Sequence, residues 1–220
     1  MNIYIARHGQ SEWNLIRRIQ GQTNTRLSPV GVQQGLDLAQ FLKRQSISKI
    51  FSSSLYRTIQ TANPLAEQLN LIIQSSKLLN ELAFGVLEGK DLFDFDEEAK
   101  KIWDWWMEDP VRRRIPGGES YRDLQRRAET FLKDNLNLQD QLTVLIVGHF
   151  RINQMLLGCL LDIPASQAVF IKQENNSIYH YRQGKQIRRA EISSQAYENT
   201  HWQSGLAWQK DRLPDRNLPL

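Results

Sequence analysis

Two histidines of this chain each follow a short apolar run. His8 comes after the run over residues 2–6, and His149 comes after the run over residues 142–147. Runs of this length, rich in Ile, Leu and Val, predict buried strands. In an open α/β sheet, ligands bind beyond the carboxyl ends of the strands. If the two strands are neighbours, both imidazoles project into one crevice.

Two arginines are expected at the same crevice. Arg7 directly precedes His8, and Arg57 lies at the start of a helix predicted after residues 51–53. A helix N-terminus near residue 150 adds backbone N–H donors for an anion. Each residue alone also has a structural explanation, because strand-end histidines often satisfy hydrogen bonds and arginines near helix starts usually face solvent. Together, the imidazoles, guanidiniums and helix terminus predict a phosphoryl-binding pocket.

Short apolar runs alternate with amphipathic stretches along the chain. This alternation is typical of a parallel sheet flanked by helices, so we predict an α/β fold, a three-layer α/β/α sandwich with a mostly parallel central sheet. Strands are predicted over residues 2–6, 47–51, 142–147, 168–172, 177–182 and 186–192, and helices over residues 29–42, 55–69, 94–108, 120–132 and 152–161. Pro64 predicts a kink or an early end of its helix.

The 220-residue chain has the size of one ordinary domain. We assign residues 1–195 to this domain and residues 196–220 to a polar, partly ordered tail. The formal charge is +4, and the basic residues are spread along the chain apart from the run Arg112–Arg114. This distribution favours a small anionic ligand, and no nucleic-acid partner is expected.

The sequence argues against a secreted, membrane-bound or metal-dependent protein. Cys159 is the only cysteine, so no intrachain disulfide can form, and no run of about 18 apolar residues occurs. We therefore expect a cytoplasmic protein without a membrane partner. Four scattered histidines and one cysteine offer no ligand cluster, so neither a metal nor another cofactor is expected.

The segment from Ile5 to Asn14, Ile-Ala-Arg-His-Gly-Gln-Ser-Glu-Trp-Asn, resembles the signature of the histidine phosphatase superfamily, in its phosphoglycerate-mutase-like branch. Further motifs follow in the family's order: Gln20-Gly21 with Leu27-Ser28 and Gly31, Ser52 to Ala62, Asn80-Glu81 with Phe84-Gly85 and Glu88-Gly89, Gly117-Gly118-Glu119-Ser120, and Gly148-His149. The resemblance covers roughly residues 1–190. It implies a small helical cap over the site, formed by the tryptophan-rich helix over residues 94–108, whose aromatic residues would form core rather than a ligand platform. Ordered motifs over this length are far more specific than a lone Arg-His-Gly.

The resemblance implies a metal-independent phosphoryl transfer in which His8 is the nucleophile. Glu81 matches the family's proton donor to the leaving oxygen, and the same carboxylate could then activate water. The other residues implied at the site are Arg7, Arg57 and His149, which are catalytic and hold phosphoryl oxygens, and the substrate-binding residues Asn14, Gln20 and Gly21. Because fixed donors carry most of the catalysis of phosphoryl transfer, no metal is required.

The sequence departs from the family pattern at the rim of the expected pocket. Phe84 stands where the mutases usually have a tyrosine, and the segment from there to the Gly117-Gly118 turn is compact. Both features favour a phosphatase over a mutase. Phe150 and Arg151 replace small residues after His149, so we expect them to bind substrate and to determine specificity. Alternatively, Phe150 packs under the helix that follows.

Two further basic features have open interpretations. The run Arg112–Arg114 would either bind a carboxylate or second phosphate, or form a solvated basic turn. His201 aligns loosely with a C-terminal segment that closes over the substrate in some relatives.

The function predicted is that of a histidine acid-type phosphatase. It would hydrolyse a small phosphorylated metabolite, carboxylated or a sugar phosphate, through a phosphohistidine on His8. One alternative is a cofactor-dependent phosphoglycerate mutase, and another is a non-catalytic, phosphate-binding regulatory protein. The retained Glu81 argues against the last, because a binder has no use for the acid. The β-rich C-terminal region offers an edge for a homodimer, although nothing in the residues demands one.

Overall fold

The computed structural model describes residues 1–184, 186–192 and 202–209. Its strands are β1 (Asn2–Arg7), β2 (Lys49–Ser53), β3 (Ile73–Ser76), β4 (Thr143–Gly148), β5 (Ser177–Arg182), β6 (Gln186–Glu191) and β7 (Gln203–Ser204). Within these residues the strands form one sheet in the order β3-β2-β4-β1-β5-β6-β7. Strands β1 to β4 are parallel, and β5 to β7 extend the sheet antiparallel. The predicted α/β fold with a mostly parallel central sheet is confirmed.

The helices of the described residues are α1 (Glu12–Leu15), α2 (Pro29–Leu42), α3 (Tyr56–Leu69), α4 (Glu97–Glu108), α5 (Tyr121–Asn135), α6 (Phe150–Leu161) and α7 (Ala165–Ala168). Serine side chains define two of the starts. Ser28 accepts the N–H of Gly31 before α2, and Ser120 accepts the N–H of Asp123 before α5. Such caps satisfy N–H groups that the helix itself cannot pair.

Alternating side chains of β1 bury both faces of the sheet. Ile3 and Ile5 belong to one apolar core cluster, which the helices α5 and α6 cover, whereas Tyr4 and Ala6 belong to a second cluster, which α2 and α3 cover. Successive side chains of a strand point to opposite faces, so one strand serves two cores. The helices therefore lie on both faces of the sheet, which gives the three layers.

The central strands bring the two histidines together. β1 and β4 are neighbours in parallel register, with Arg7 opposite Gly148. His8 and His149 are the next residues of the two strands, and the His8 N–H donates to the Gly148 carbonyl at 3.0 Å. β2 pairs with the other side of β4 and ends at Ser53.

The strand predicted over residues 168–172 is wrong. Its first residue ends α7, and Ile171 makes only an isolated bridge with Trp208. The Gln154 side chain donates to the carbonyls of Val169 and Ile171, both at 2.8 Å. A side chain thus pairs with backbone carbonyls that a neighbouring strand would have used.

Two further predictions are corrected around β2. Helix α3 continues through Pro64 to Leu69, so the expected early end does not occur, and the burial of Leu65 and Ala66 offsets the hydrogen bond that proline removes. β3 was not predicted. It is a short edge strand of sequence Ile-Gln-Ser-Ser, which lacks the apolar run of a buried strand.

Part of the predicted tail belongs to the sheet. β7 pairs antiparallel with β6, and the Gln209 N–H donates to the Phe170 carbonyl at 2.9 Å. The remaining tail residues, including His201, lie outside the described residues.

Candidate active site

A cavity of about 370 Å³ opens beyond the carboxyl ends of β1 and β4. Its wall consists of Arg7, His8, Trp13, Asn14, Arg17, Arg18, Ile19, Gln20, Gly21, Arg57, Glu81, Phe84, Leu92, Phe93, Trp103, Phe150 and Arg151. We call the part around Arg7, His8, Arg57 and Glu81 the inner half. The part around Trp13, Arg17, Arg18, Leu92 and Phe93 is the outer half. Of the residues predicted for the site from the sequence, all except His149 line this cavity.

His8 is held in one tautomer. Its Nδ1 lies 2.7 Å from the Gly9 carbonyl, which only accepts hydrogen bonds, so Nδ1 carries the proton. Its Nε2 accepts from Arg57 Nε at 3.3 Å. Burial, followed by the positive charges of Arg57 and Arg7, holds the pKa of His8 well below its ordinary value. The imidazole is therefore neutral near pH 7, with the lone pair on Nε2.

Arg57 is buried and clamped by backbone carbonyls. Its guanidinium donates to the Thr23 carbonyl and to the Gly21 carbonyl, both at 2.9 Å. Gly21 has φ +52°, and a Cβ there would overlap the Glu88 side chain. Burial lowers the pKa of Arg57 to about 10, so the guanidinium stays charged at neutral pH. The loop thereby fixes a cation beside His8.

Arg7 lies on the opposite side of the inner half. One of its terminal nitrogens donates to the Gln173 carbonyl at 2.9 Å, and its guanidinium lies 5.2 Å from the centre of the Phe150 ring. Its buried Nε has no partner among the described residues. Unpaired buried donors are rare, and an anion in the cavity would satisfy this one.

His149 adjoins His8 but is not among the residues that line the cavity. The two ring centres are 5.0 Å apart, and His149 is fully buried. Its Nε2 is 2.7 Å from the Ser53 hydroxyl, whereas Nδ1 has no partner within the described residues. Burial, then the charge of Arg57, lowers the pKa of His149 well below its ordinary value. When Ser53 donates to Nε2, the proton of the neutral ring is on Nδ1.

Glu81 faces the cavity with its carboxylate held by backbone donors. The Leu82 N–H donates to Oε1 at 2.9 Å, and the Arg151 N–H, in the first turn of α6, donates to Oε1 at 3.2 Å. Arg127 fixes the Glu81 backbone, because it donates to the Asn80 and Glu81 carbonyls at 2.9 and 3.1 Å. The carboxylate is thus positioned from both sides.

Two amide side chains complete the inner wall. Asn14 Oδ1 accepts from the Ser11 N–H at 3.0 Å, and Gln20 Oε1 accepts from the Ser11 and Thr25 hydroxyls at 2.8 and 2.7 Å. Among the described residues neither NH₂ group has a partner. Each amide therefore keeps donors free for a ligand.

The outer half is exposed, basic and aromatic. The Arg17 guanidinium lies 4.8 Å from the centre of the Phe93 ring, and that of Arg18 lies 5.5 Å from the Trp13 ring. Phe93 is 69% exposed. The predicted specificity residue Arg151 also lines the cavity, and its guanidinium lies 4.5 Å from the centre of the Phe84 ring. Phe84 thus presents an apolar face to Arg151.

The basic run does not reach the cavity. Arg112 and Arg114 pair with Asp109 and Asp123 at 3.2 and 2.5 Å, and Arg113 pairs with Glu108. None of the run lines the cavity wall. These contacts favour the solvated basic turn over the second anion site.

Comparisons with known proteins identify the family. The model of the histidine phosphatase superfamily, branch 1, matches residues 3–193. The chain belongs to this superfamily. A protein of Proteus mirabilis named "Probable phosphoglycerate mutase GpmB" is 31% identical over 202 residues, which are 92% of this chain and 87% of the relative. A second relative, of Yersinia pestis (strain Pestoides F), has the same name and is 32% identical with the same coverage.

Solved structures similar to this histidine phosphatase superfamily member include two that are named phosphatases. The mycobacterial glucosyl-3-phosphoglycerate phosphatase in complex with inorganic phosphate has a TM-score of 0.69 and 26% identity, and the match covers 94% of this chain and 96% of that one. The alpha-ribazole phosphatase from Shigella flexneri has a TM-score of 0.73 at 21% identity, with 99% and 100% covered. The second likeness shows the fold alone.

Sequence reasoning assigned no role to several residues that build this superfamily member's site. Ser53 positions His149, and Arg127 joins the Glu81 backbone to Glu119, with which it pairs at 2.8 Å. Ser53 and Glu119 belong to the motifs Ser52 to Ala62 and Gly117-Gly118-Glu119-Ser120, so membership of these motifs could have pointed to them. Arg127 lies in the middle of α5, where nothing in the sequence marks it.

The described residues contain no group of three or more His, Cys, Asp or Glu side chains that could hold a metal ion. Among the same residues, no helix combines the length and the apolar character needed to span a membrane.

Proposed function

We propose that this chain is a metal-independent phosphomonoesterase that acts through a phosphohistidine on His8. The observation that carries the proposal is the fixed tautomer of His8. The Gly9 carbonyl holds the proton on Nδ1, and burial keeps the ring neutral, so Nε2 carries the lone pair that can attack phosphorus once it leaves its 3.3 Å contact with Arg57 Nε. A buried histidine with a purely structural role has no need of an unprotonated nitrogen beside two guanidiniums.

In the first step, His8 Nε2 attacks phosphorus and the bond to the ester oxygen breaks. Glu81 gives a proton to the departing oxygen, which leaves as an alcohol. The imidazole then carries a positive charge, which the Nδ1–H bond to the Gly9 carbonyl stabilises. Arg7 and Arg57 stabilise the charge on the phosphoryl oxygens, and an oxygen would supply the partner that His149 Nδ1 lacks.

In the second step, the Glu81 carboxylate takes a proton from water, and the water oxygen attacks phosphorus. The P–N bond breaks, its electron pair returns to Nε2, and inorganic phosphate leaves. His8 is again neutral and Glu81 is again protonated, so the cycle closes. Asn14 and Gln20 offer NH₂ donors for the substrate at the same wall.

The substrate we propose is a small phosphorylated metabolite, carboxylated or a sugar phosphate. The cavity is large enough for an organic group besides the phosphoryl group, and Arg151 and Phe150 stand on its wall. The glucosyl-3-phosphoglycerate phosphatase named above acts, by its name, on such a compound. These features support a metabolite of this size and charge.

A phosphoglycerate mutase is the second candidate, because the relatives at 31% and 32% identity carry that name. Phe84 argues for hydrolysis. Its ring forms an apolar floor below Arg151, where the mutases usually have a hydroxyl. The two reactions differ in whether phosphate leaves the enzyme or returns to the organic acid.

The test is phosphate release from a panel of phosphomonoesters with EDTA present, with wild type beside His8→Ala. We expect release that survives the chelator and is lost in the variant, together with an alkali-stable phosphoenzyme in wild type alone. Circular dichroism of His8→Ala shows whether the fold is kept. Persistent turnover in the variant would exclude phospho-His8, and loss with EDTA would exclude the metal-free reaction. Isomerisation of phosphoglycerate without net release would establish the mutase.

A further inference from the structure

The outer half of the cavity has an arrangement that phosphoryl transfer does not use. Arg17 and Arg18 both line the cavity, and each guanidinium lies over an aromatic ring. We propose that these two arginines, with Phe93 and Trp13, form a second anion subsite that binds the carboxylate of an aromatic phosphomonoester. This inference rests on the proposed function for the reaction but concerns binding alone.

The charge of the outer half is uncompensated. Among the described residues, neither Arg17 nor Arg18 pairs with a carboxylate, and the one acidic residue of the cavity wall is Glu81 in the inner half. The run Arg112–Arg114 is different, because each of its arginines pairs with an acid. Adjacent unpaired guanidiniums at the mouth of a cavity attract an anion. The second negative charge of a substrate would therefore be drawn to Arg17 and Arg18.

The backbone holds the two arginines in place. Arg17 has φ +54°, a left-handed conformation that non-glycine residues rarely adopt. Its carbonyl accepts from the Leu92 N–H at 3.2 Å, and the Arg18 N–H donates to the Trp13 carbonyl at 2.9 Å. The backbones of Arg18 and Asp91 also form an isolated antiparallel β-bridge. The segment that carries the arginines is thus tied to the segment that carries Phe93.

The rings determine the shape of the ligand. A guanidinium stacked on an aromatic face keeps its N–H edge free, and this edge matches a carboxylate. Phe93 is largely exposed, and Leu92, Phe93 and Trp103 give the cavity an apolar wall next to these donors. A phosphate ester with a flat apolar body and a terminal carboxylate can contact both the apolar wall and the arginines. An ester of the same shape with an uncharged amide in place of the carboxylate can contact the apolar wall alone.

The experiment compares 4-carboxyphenyl phosphate with 4-carbamoylphenyl phosphate, in which an uncharged amide of similar shape replaces the carboxylate. Dissociation constants are measured by calorimetry on the His8→Ala background, where no turnover occurs, and kcat/KM is measured in active protein. In the Arg17→Gln/Arg18→Gln variant we expect the preference for the carboxylate over the amide to fall about fivefold in both measurements. Comparing this ratio between wild type and variant cancels the difference in leaving-group reactivity between the two esters, because that difference is the same in both proteins.

The matched control is Arg112→Gln/Arg126→Gln, which removes two exposed arginines away from the cavity wall. The proposal predicts an unchanged preference there. An equal fall in the control would mean a long-range charge effect, and an unchanged preference in Arg17→Gln/Arg18→Gln would mean no subsite; both overturn the inference. A third outcome separates the two proposals. If protein with His8 intact releases no phosphate, but the Arg17→Gln/Arg18→Gln variant still loses the binding preference, the proposed function is refuted and the subsite remains supported.

Discussion

In the inner half of the cavity the reactive groups are buried and held by partners from several elements, whereas in the outer half the arginines lie at the surface on aromatic rings. His8, Arg57 and Glu81 each bond to backbone atoms. Arg17 and Phe93 instead meet through side chains that water reaches. The difference indicates a division of labour. Groups that must stabilise a transition state are fixed before the substrate arrives, and groups that select the substrate remain adjustable.

The strongest way to break this comparison is at Arg57. We expect Arg57→Ala to lower kcat by about 10³-fold, because a fixed charge beside the transferred group is lost. Arg57→Lys should recover only part of the rate, since an ammonium cannot span the Thr23 and Gly21 carbonyls as the guanidinium does. Steady-state phosphate release measures both variants. A kcat equal to that of wild type would place Arg57 outside the reaction.

Glu81→Gln tests the proton donor. We expect kcat/KM, which covers the steps up to phosphoryl transfer to His8, to fall about 10²-fold for alkyl phosphates, whose leaving oxygen needs a proton. It should fall much less for 4-nitrophenyl phosphate, whose leaving group does not. The amide keeps the size of the carboxyl group near the Leu82 N–H. The comparison of the two ester classes is the measurement. Equal losses for both would assign Glu81 a structural role.

The burial of His8 also predicts a dependence of stability on pH. Its pKa is lowered in the folded protein, so below pH about 6.5 the unfolded chain binds a proton that the folded one does not. The free energy of unfolding therefore falls as the pH falls. Between pH 7 and pH 5, the free energy of unfolding measured with urea should fall by up to about 2 kcal/mol less in His8→Gln than in wild type. Parallel pH curves for the two proteins would contradict a neutral buried His8.

Ser53 tests whether the inner half needs its supporting contacts. Ser53→Ala removes the partner of His149 Nε2, and we expect kcat to fall about tenfold with little change in KM. Ser52→Ala is the control, because its buried hydroxyl bonds only the Ser53 carbonyl within the part of the chain that the structure describes. Ser53→Thr, which keeps the hydroxyl, should recover part of the rate. If both alanine variants behave alike, the His149 contact has no particular role.

The smallest effect is expected in the outer half. Phe93→Ala should raise KM about threefold for aryl phosphates and leave kcat within twofold, because an exposed ring contributes binding and no chemistry. Ile72→Ala, which changes an exposed residue away from the cavity, is the control. A fall in kcat comparable to that of Ser53→Ala would erase the distinction between the two halves.

The sequence allowed the inner half to be predicted much better than the outer half. His8 and His149 follow apolar runs that form neighbouring strands, and the motifs around Arg57 and Glu81 are local. Arg17 and Phe93 are far apart in sequence and meet because two loop segments pair through backbone bonds. No periodicity reports such a pairing.

The errors in the fold have a similar cause. Residues 168–172 are apolar enough for a strand, but Gln154, in a helix, takes the carbonyls that a neighbouring strand would need. β3 is polar and at the sheet edge, so its pairing with β2 leaves no hydrophobic signature. In both segments the secondary structure is determined by hydrogen bonds to residues distant in the sequence.

β1 pairs with β4 on one side and with β5 on the other, so His8, the proposed nucleophile, follows a strand that is bonded along both edges. The His8 amide, bonded to the Gly148 carbonyl, should exchange its hydrogen with solvent only when the whole sheet opens. The amides around Arg17 belong to a short loop pairing and should exchange through local openings. The mouth of the cavity can then loosen and close around different molecules, while the reacting nitrogen keeps its place over the lifetime of the folded protein.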